Sequence, residues 1–174
     1  SQRSLLATSS GKPKDQFHFT YATAEYLEQT SSGSSVGFGF SVELLASRAP
    51  RNAVVAYTEP GSAAATNGLL RGTKFLAING ADVVNGEPDT INEGLFSPLD
   101  GKSYTFEVLD PGATTPRTFS MTASNVTSTP VQNVRTLSPP HTSVGYLQFN
   151  DHIATAELQL IAAINLLKAA NGGA

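Results

Sequence analysis

Ser35-Val36-Gly37-Phe38-Gly39-Phe40-Ser41-Val42-Glu43-Leu44-Leu45 decides how the rest of the chain is read. Two glycines alternate with two phenylalanines, and an alternating strand pattern continues from them. Glycine enters positive φ without steric cost, so successive N–H groups in such a loop can turn toward one point. A concave array of that kind binds anions. The strand that follows has a margin along which an extended peptide can add, and the combination suits a peptide ending in a free carboxylate. The plainer alternative is a turn, a bulge or a close backbone approach, which a Gly-x-Gly in a strand usually marks.

Composition narrows the classes. The chain has 174 residues, enough for one domain with extra elements or two small ones. With 40% hydrophobic residues it can bury a core, and only 14% of its residues are charged. Its net charge is −3, and no dense Lys/Arg cluster interrupts it, so nucleic acid is not an expected partner. No apolar run approaches 18 residues, so no membrane insertion is expected. Cysteine is absent, which removes disulfides, thiolate catalysis and thiol-based zinc sites together. His18, His141 and His152 are scattered without a second histidine at ligand spacing; neither a metal nor a cofactor is expected. Ser1 opens no signal peptide, so the chain is cytosolic or a piece of a longer precursor, and the second is the expectation.

Residues 1–14 read as a polar lead-in, 17–21 as a short strand and 23–29 as a short helix with Thr23 as its N-cap. The serine-rich 30–35 reads as a linker of turn chemistry and not as a source of nucleophiles. No Gly-x-Ser-x-Gly elbow occurs anywhere. Residues 53–58 form an apolar β-rich strand, and Pro60-Gly61-Ser62-Ala63-Ala64-Ala65 begins a helix of two turns at most, capped by Ser62 and ended at Gly68. Residues 74–78 read as a strand, and Asn79-Gly80 is the strongest hairpin signal in the chain. A helix capped by Asp89 or Thr90 runs through Phe96, and strands at 104–109 and 117–122 pair around Asp110-Pro111-Gly112.

In this order the segments resemble a PDZ domain over residues 36–123. Gly37-Phe38-Gly39-Phe40 stands in for the family's Gly-Leu-Gly-Phe loop, and residues 60–80 are similar to its stretch from Pro-Gly-Ser-Pro-Ala to Asn-Gly. Two departures stand out: Thr73 where an Asp is usual, and Ala63 where Pro is common. The flanks at 14–33 and 143–168 are similar to those of carboxyl-terminal processing peptidases, the tail-specific serine proteases. The expected fold class is α+β, a small PDZ-like barrel or sandwich with two helices and flanking strand-helix segments. The expected divisions are 1–32 as a strand-helix segment and linker, 33–125 as PDZ, 126–142 as a linker and 143–174 as the start of a protease core.

The resemblance implies a bacterial envelope protease with a Ser–Lys dyad, whose motif has no counterpart here, so this chain alone is expected to bind and not to cut. The implied partners are C-terminal tails of protein substrates. The N–H groups of Phe38, Gly39 and Phe40 would receive the tail carboxylate, and Ser41, Val42 and Glu43 would form the pairing edge. Ile91 and Leu95, spaced i, i+4, would close the pocket for the last side chain; ordinary core packing is the alternative for both. Ile91 takes the place where PDZ domains selecting Ser or Thr carry His, which suggests apolar tails. An adaptor without a protease is the rival, and PDZ acting as a gate on the protease is a third possibility. Ile153, Leu160, Ile161, Ile164 and Leu167 form one helical stripe, expected either to fold back on PDZ or to drive self-association through 153–167.

Overall fold

The computed structural model describes residues 33–140 and 144–170. The strand expected at 17–21, the helix at 23–29 and the rest of the 1–32 segment lie outside the described residues. The expected α+β class is the observed one, built mainly from antiparallel sheet.

The opening stretch is two strands and not one. β1 (Ser34–Gly37) and β2 (Phe40–Ala46) are separated by Phe38 and Gly39, and β1 takes in Ser34 and Ser35, which were expected to be linker. Gly39 lies at φ +81°, so the chain turns there. β3 (Asn52–Thr58), the short α1 (Ala63–Thr66), β4 (Lys74–Ile78) and β5 (Ala81–Asp82) follow. Ser62 caps α1 as expected, its Oγ accepting from Ala65 N at 3.2 Å. Asn79 and Gly80 both take positive φ in the turn between β4 and β5. α2 (Pro88–Phe96) starts two or three residues earlier than expected: Glu87 is the N-cap, and Pro88 enters the first turn, where its missing N–H costs nothing.

β6 (Ser103–Leu109) and β7 (Arg117–Thr122) pair in unbroken register. The main sheet runs β2-β3-β4-β6-β7, with β5 on β4, so β2 is an outer strand. Phe75, Phe106 and Val108 are fully buried behind it, with Val55 and Tyr104 nearly so. Phe38 joins this core at 2% exposure, its ring 5.0 Å from Phe106 and 5.5 Å from Phe40. The loop is therefore anchored by one aromatic side chain that the sheet has already paid to bury.

Thr73, the departure from the family's Asp, sits fully buried. Its Oγ1 accepts from Leu70 N at 3.2 Å and donates to Asp110 Oδ1 at 2.8 Å. Asp110 is in turn bound by Arg117, which also donates to the carbonyls of Asn67 and Gly68. The carboxylate missing from position 73 is supplied by the turn between β6 and β7.

The 126–142 span expected as a linker contains strand. β8 (Ser124–Thr127) pairs with β1, and β9 (Val131–Thr136) pairs with β10 (Gly145–Phe149). α3 (Ala156–Ala170) begins three residues later than expected and packs on β9 and β10 through its small residues Ala156 and Ala163. The apolar stripe is thereby split. Leu160 and Leu167 are half-buried, while Ile161 and Ile164 are exposed together with Leu158 and Leu166.

Candidate functional site

The loop between β1 and β2 is held by its carbonyls. Phe38 O accepts from Ala64 N at 2.9 Å, and Gly39 O accepts from Glu59 N at 2.7 Å and from Ser62 Oγ at 3.4 Å. Among the described residues, nothing accepts from the N–H groups of Phe38 or Gly39. Phe40 stands opposite Thr58, and the Glu59–Gly39 bond makes that a non-hydrogen-bonded pair. The N–H of Phe40 therefore points away from β3, toward the unpaired side of β2. Among the described residues, three successive amides at the start of an outer strand have no acceptor. The close fit of Gly39 under Ser62 fixes them, since a Cβ on Gly39 would overlap the serine side chain.

These amides face a cleft of about 320 Å³. Its walls are the Gly37–Val42 backbone, the β1–β8 ribbon, and Leu95, Phe96 and Pro98 at the end of α2. A second hollow of about 130 Å³ lies farther along β2, lined by Leu44 on the strand and by Ile91 and Asn92 on the helix. Leu95 and Phe96 line both. The two hollows make one groove that runs between β2 and α2, beginning at the end of the helix and the start of the strand. α2 is held in place at Gly94, where a Cβ would lie 2.6 Å from Ile78 Cγ2, and by Glu93, whose Oε1 accepts from Tyr104 at 2.7 Å and from Lys102 at 2.5 Å.

The electrostatics of the cleft come from acids. Glu59 and Asp151 line it, and no Lys, Arg or His among the described residues does. Glu59 is buried, and its Oε2 accepts from Thr129 N at 2.8 Å and Gln132 Nε2 at 3.1 Å. Burial pushes its carboxyl above the ordinary range, against the lowering effect of these hydrogen bonds. Burial also raises the Tyr57 hydroxyl, with Glu59 adding to it and Asp151 contributing less. An anion in the cleft would thus be held by backbone amides and by no cationic side chain.

A strand-edge groove closed by an antiparallel helix, with turned amides at its head, is the arrangement that the resemblance implied. The fold is PDZ-like. In comparison with solved structures, the chain is similar to the photosystem II D1 C-terminal processing protease, at 19% identity and a TM-score of 0.57, over 80% of this chain and 38% of the protease. A PDZ domain of a carboxy-terminal protease from Vibrio cholerae, solved in complex with a peptide, aligns at 17% identity and a TM-score of 0.42, over 53% of this chain and 97% of that one. A putative S41 protease from Bacteroides fragilis aligns at 19% identity and a TM-score of 0.49, over 78% of this chain and 38% of that one. The chain thus spans little more than a third of the two longer proteins. No family model matches the sequence, and no curated protein matches it.

Of the residues singled out from sequence in this PDZ-like fold, Phe38, Gly39, Phe40, Ser41, Val42 and Leu95 all line the first cleft. Ile91 does not; it lines the second hollow and is 4% exposed. Leu95, one helical turn on, lines both hollows, so the two residues share the second and Leu95 also reaches the first. Sequence reasoning passed over Phe96, Glu59 and Arg51. A carboxylate ending the apolar run of β3 was the available signal for Glu59. Nothing local marked the other two.

Proposed function

We propose that this chain is a peptide-binding module that captures free C-terminal tails of protein substrates. The amides of Phe38, Gly39 and Phe40 receive the terminal carboxylate in charge-assisted hydrogen bonds, stronger than neutral ones. The tail extends antiparallel to Ser41, Val42 and Glu43 as an added strand. Its last side chain enters between Leu95, Phe96 and Pro98, which favours an apolar residue, and Ile91 meets a side chain farther upstream. The observation that carries this reading is the set of unpaired amides opening onto a groove along an outer strand.

The fold shared with the D1 processing protease and the flanking sequence support a place for the module in a carboxyl-terminal processing serine protease, delivering tails to a Ser–Lys site elsewhere in the parent protein. The exposed face of α3 supports self-association as a further property of the isolated chain.

Titration with an apolar peptide as free acid and as C-terminal amide tests the central claim. Amidation removes the charge the amides receive, at a cost of about 1.5–3 kcal/mol. Equal affinity for both forms would rule the reading out.

A further inference from the structure

The second hollow is apolar except for Ser47, Asn92 and one cation, Arg51. Arg51 is braced on the loop that follows β5: its backbone N–H donates to Val84 O at 2.7 Å, and its Nη1 donates to Gly86 O at 2.6 Å and, at 3.5 Å, toward Val83 O. Among the described residues, nothing accepts from Nε or Nη2. Asp82 of β5 feels its charge, but the oxygens of Asp82 are taken up by Val84 N, Asn85 N and Asn85 Nδ2. No ion pair joins the two among the described residues. A guanidinium fixed at one nitrogen, with donors to spare beside an apolar hollow, is preorganised for a carboxylate.

The groove supplies the register. With the tail carboxylate at Phe40 and the tail antiparallel to β2, advancing to Leu44 passes four residues, about 13 Å of strand. Side chains two and four residues upstream of the terminal one share its face, toward α2. The fourth reaches the hollow where Leu44, Ile91 and Arg51 meet.

We infer that Arg51 is a specificity-determining residue that selects an acidic side chain four residues upstream of the tail's terminal residue. This rests on the tail-binding reading above and adds a substrate class to it: tails with an apolar end and Asp or Glu at that upstream position. The two ends of the groove then carry opposite charge, with a cation far from the terminus and acids beside it that disfavour an acidic final residue.

The test uses fluorescent tail peptides with an apolar terminal residue, carrying Glu or its neutral isostere Gln at each of the five positions before it. Wild-type chain is expected to favour Glu over Gln about fivefold at the fourth position and to show no such preference elsewhere. In R51Q the ratio falls to about one, and R51K retains part of it, because a point charge replaces the fork. Should R51Q unfold, loss of the wild-type preference between about 50 mM and 500 mM salt reads the same charge. A preference that survives R51Q or high salt, peaks elsewhere, or is absent overturns the inference. The amidated peptide separates the two readings: if amidation weakens binding while Glu and Gln bind alike, only Arg51 fails. If amidation changes nothing, the tail reading falls and takes this inference with it.

Discussion

Ser62 lies so close over Gly39 that the glycine has no room for a side chain: a methyl group there would overlap both Cβ and Oγ of the serine. The same serine caps α1, so the amide loop and the helix are pinned by one residue. Gly39→Ala should therefore cost roughly 2–4 kcal/mol through the strained positive φ and the overlap. Gly37→Ala is the control. Its added methyl would meet only Gly39 N, at 3.9 Å, and stability should change by less than about 0.5 kcal/mol. Chemical denaturation of both variants measures the difference; equal costs would show that the loop is not pinned at Gly39.

Phe96 separates binding from folding. It is 50% exposed yet lines both parts of the groove. Phe96→Ala should leave stability within about 1 kcal/mol of wild type. A bound tail would lose the apolar surface it covers, lowering affinity about fivefold. Isothermal titration with an apolar free-acid peptide checks this, and unchanged affinity would place the tail elsewhere.

Glu59 makes both stability and binding depend on pH. Its carboxyl is raised in the folded protein, so the folded state holds the proton more tightly than the unfolded chain. The stability this contributes is fully present below the unfolded value and is lost as pH rises through the folded one. Asp110, held down by the Arg117 guanidinium, has the opposite sign: its contribution is present above the unfolded value and lost as pH falls through the folded one. Glu59→Gln should flatten the decline on the alkaline side of the carboxylate range and leave the acid limb unchanged. It should also strengthen capture of a free-acid tail at neutral pH, since an ionised Glu59 opposes a second carboxylate in the same cleft. Thermal melts and peptide titrations across pH 4–8 (roughly the window of a raised carboxyl) give the comparison, and parallel curves for the two proteins would contradict it.

The two faces of α3 should respond differently. Ala163 is 5% exposed against the β9–β10 pair, and Leu158 is 75% exposed. Ala163→Leu overpacks a tight contact and should cost about 1–3 kcal/mol. Leu158→Lys should be neutral for stability and should reduce concentration-dependent association in sedimentation velocity. Association undiminished by Leu158→Lys would remove this helix from the contact.

How much of this was legible in sequence follows the range of the forces involved. Asn79-Gly80, the Ser62 cap and the β6–β7 hairpin are decided within a few residues by backbone sterics and local hydrogen bonds, and they stand where the sequence put them. The α2 start was missed by two or three residues, because Pro88 entering the first turn outweighed the capping preference of Asp89 and Thr90. β1, β8 and β9 escaped notice because short polar strands such as Ser34–Gly37 have almost no pattern of their own and exist through their partners.

The candidate site divides along the same line. The order of residues alone determined that a glycine-aromatic loop would open a strand, since only glycine takes the φ of Gly39 freely and only a buried ring anchors Phe38. Tertiary structure decided which neighbours surround that loop. Glu59 reaches the cleft because Thr129 and Gln132, about seventy residues away, come to meet it, and Arg51 faces the hollow because the loop after β5 braces it. Such contacts depend on burial and charge brought together across the chain, and no stretch of sequence encodes them locally.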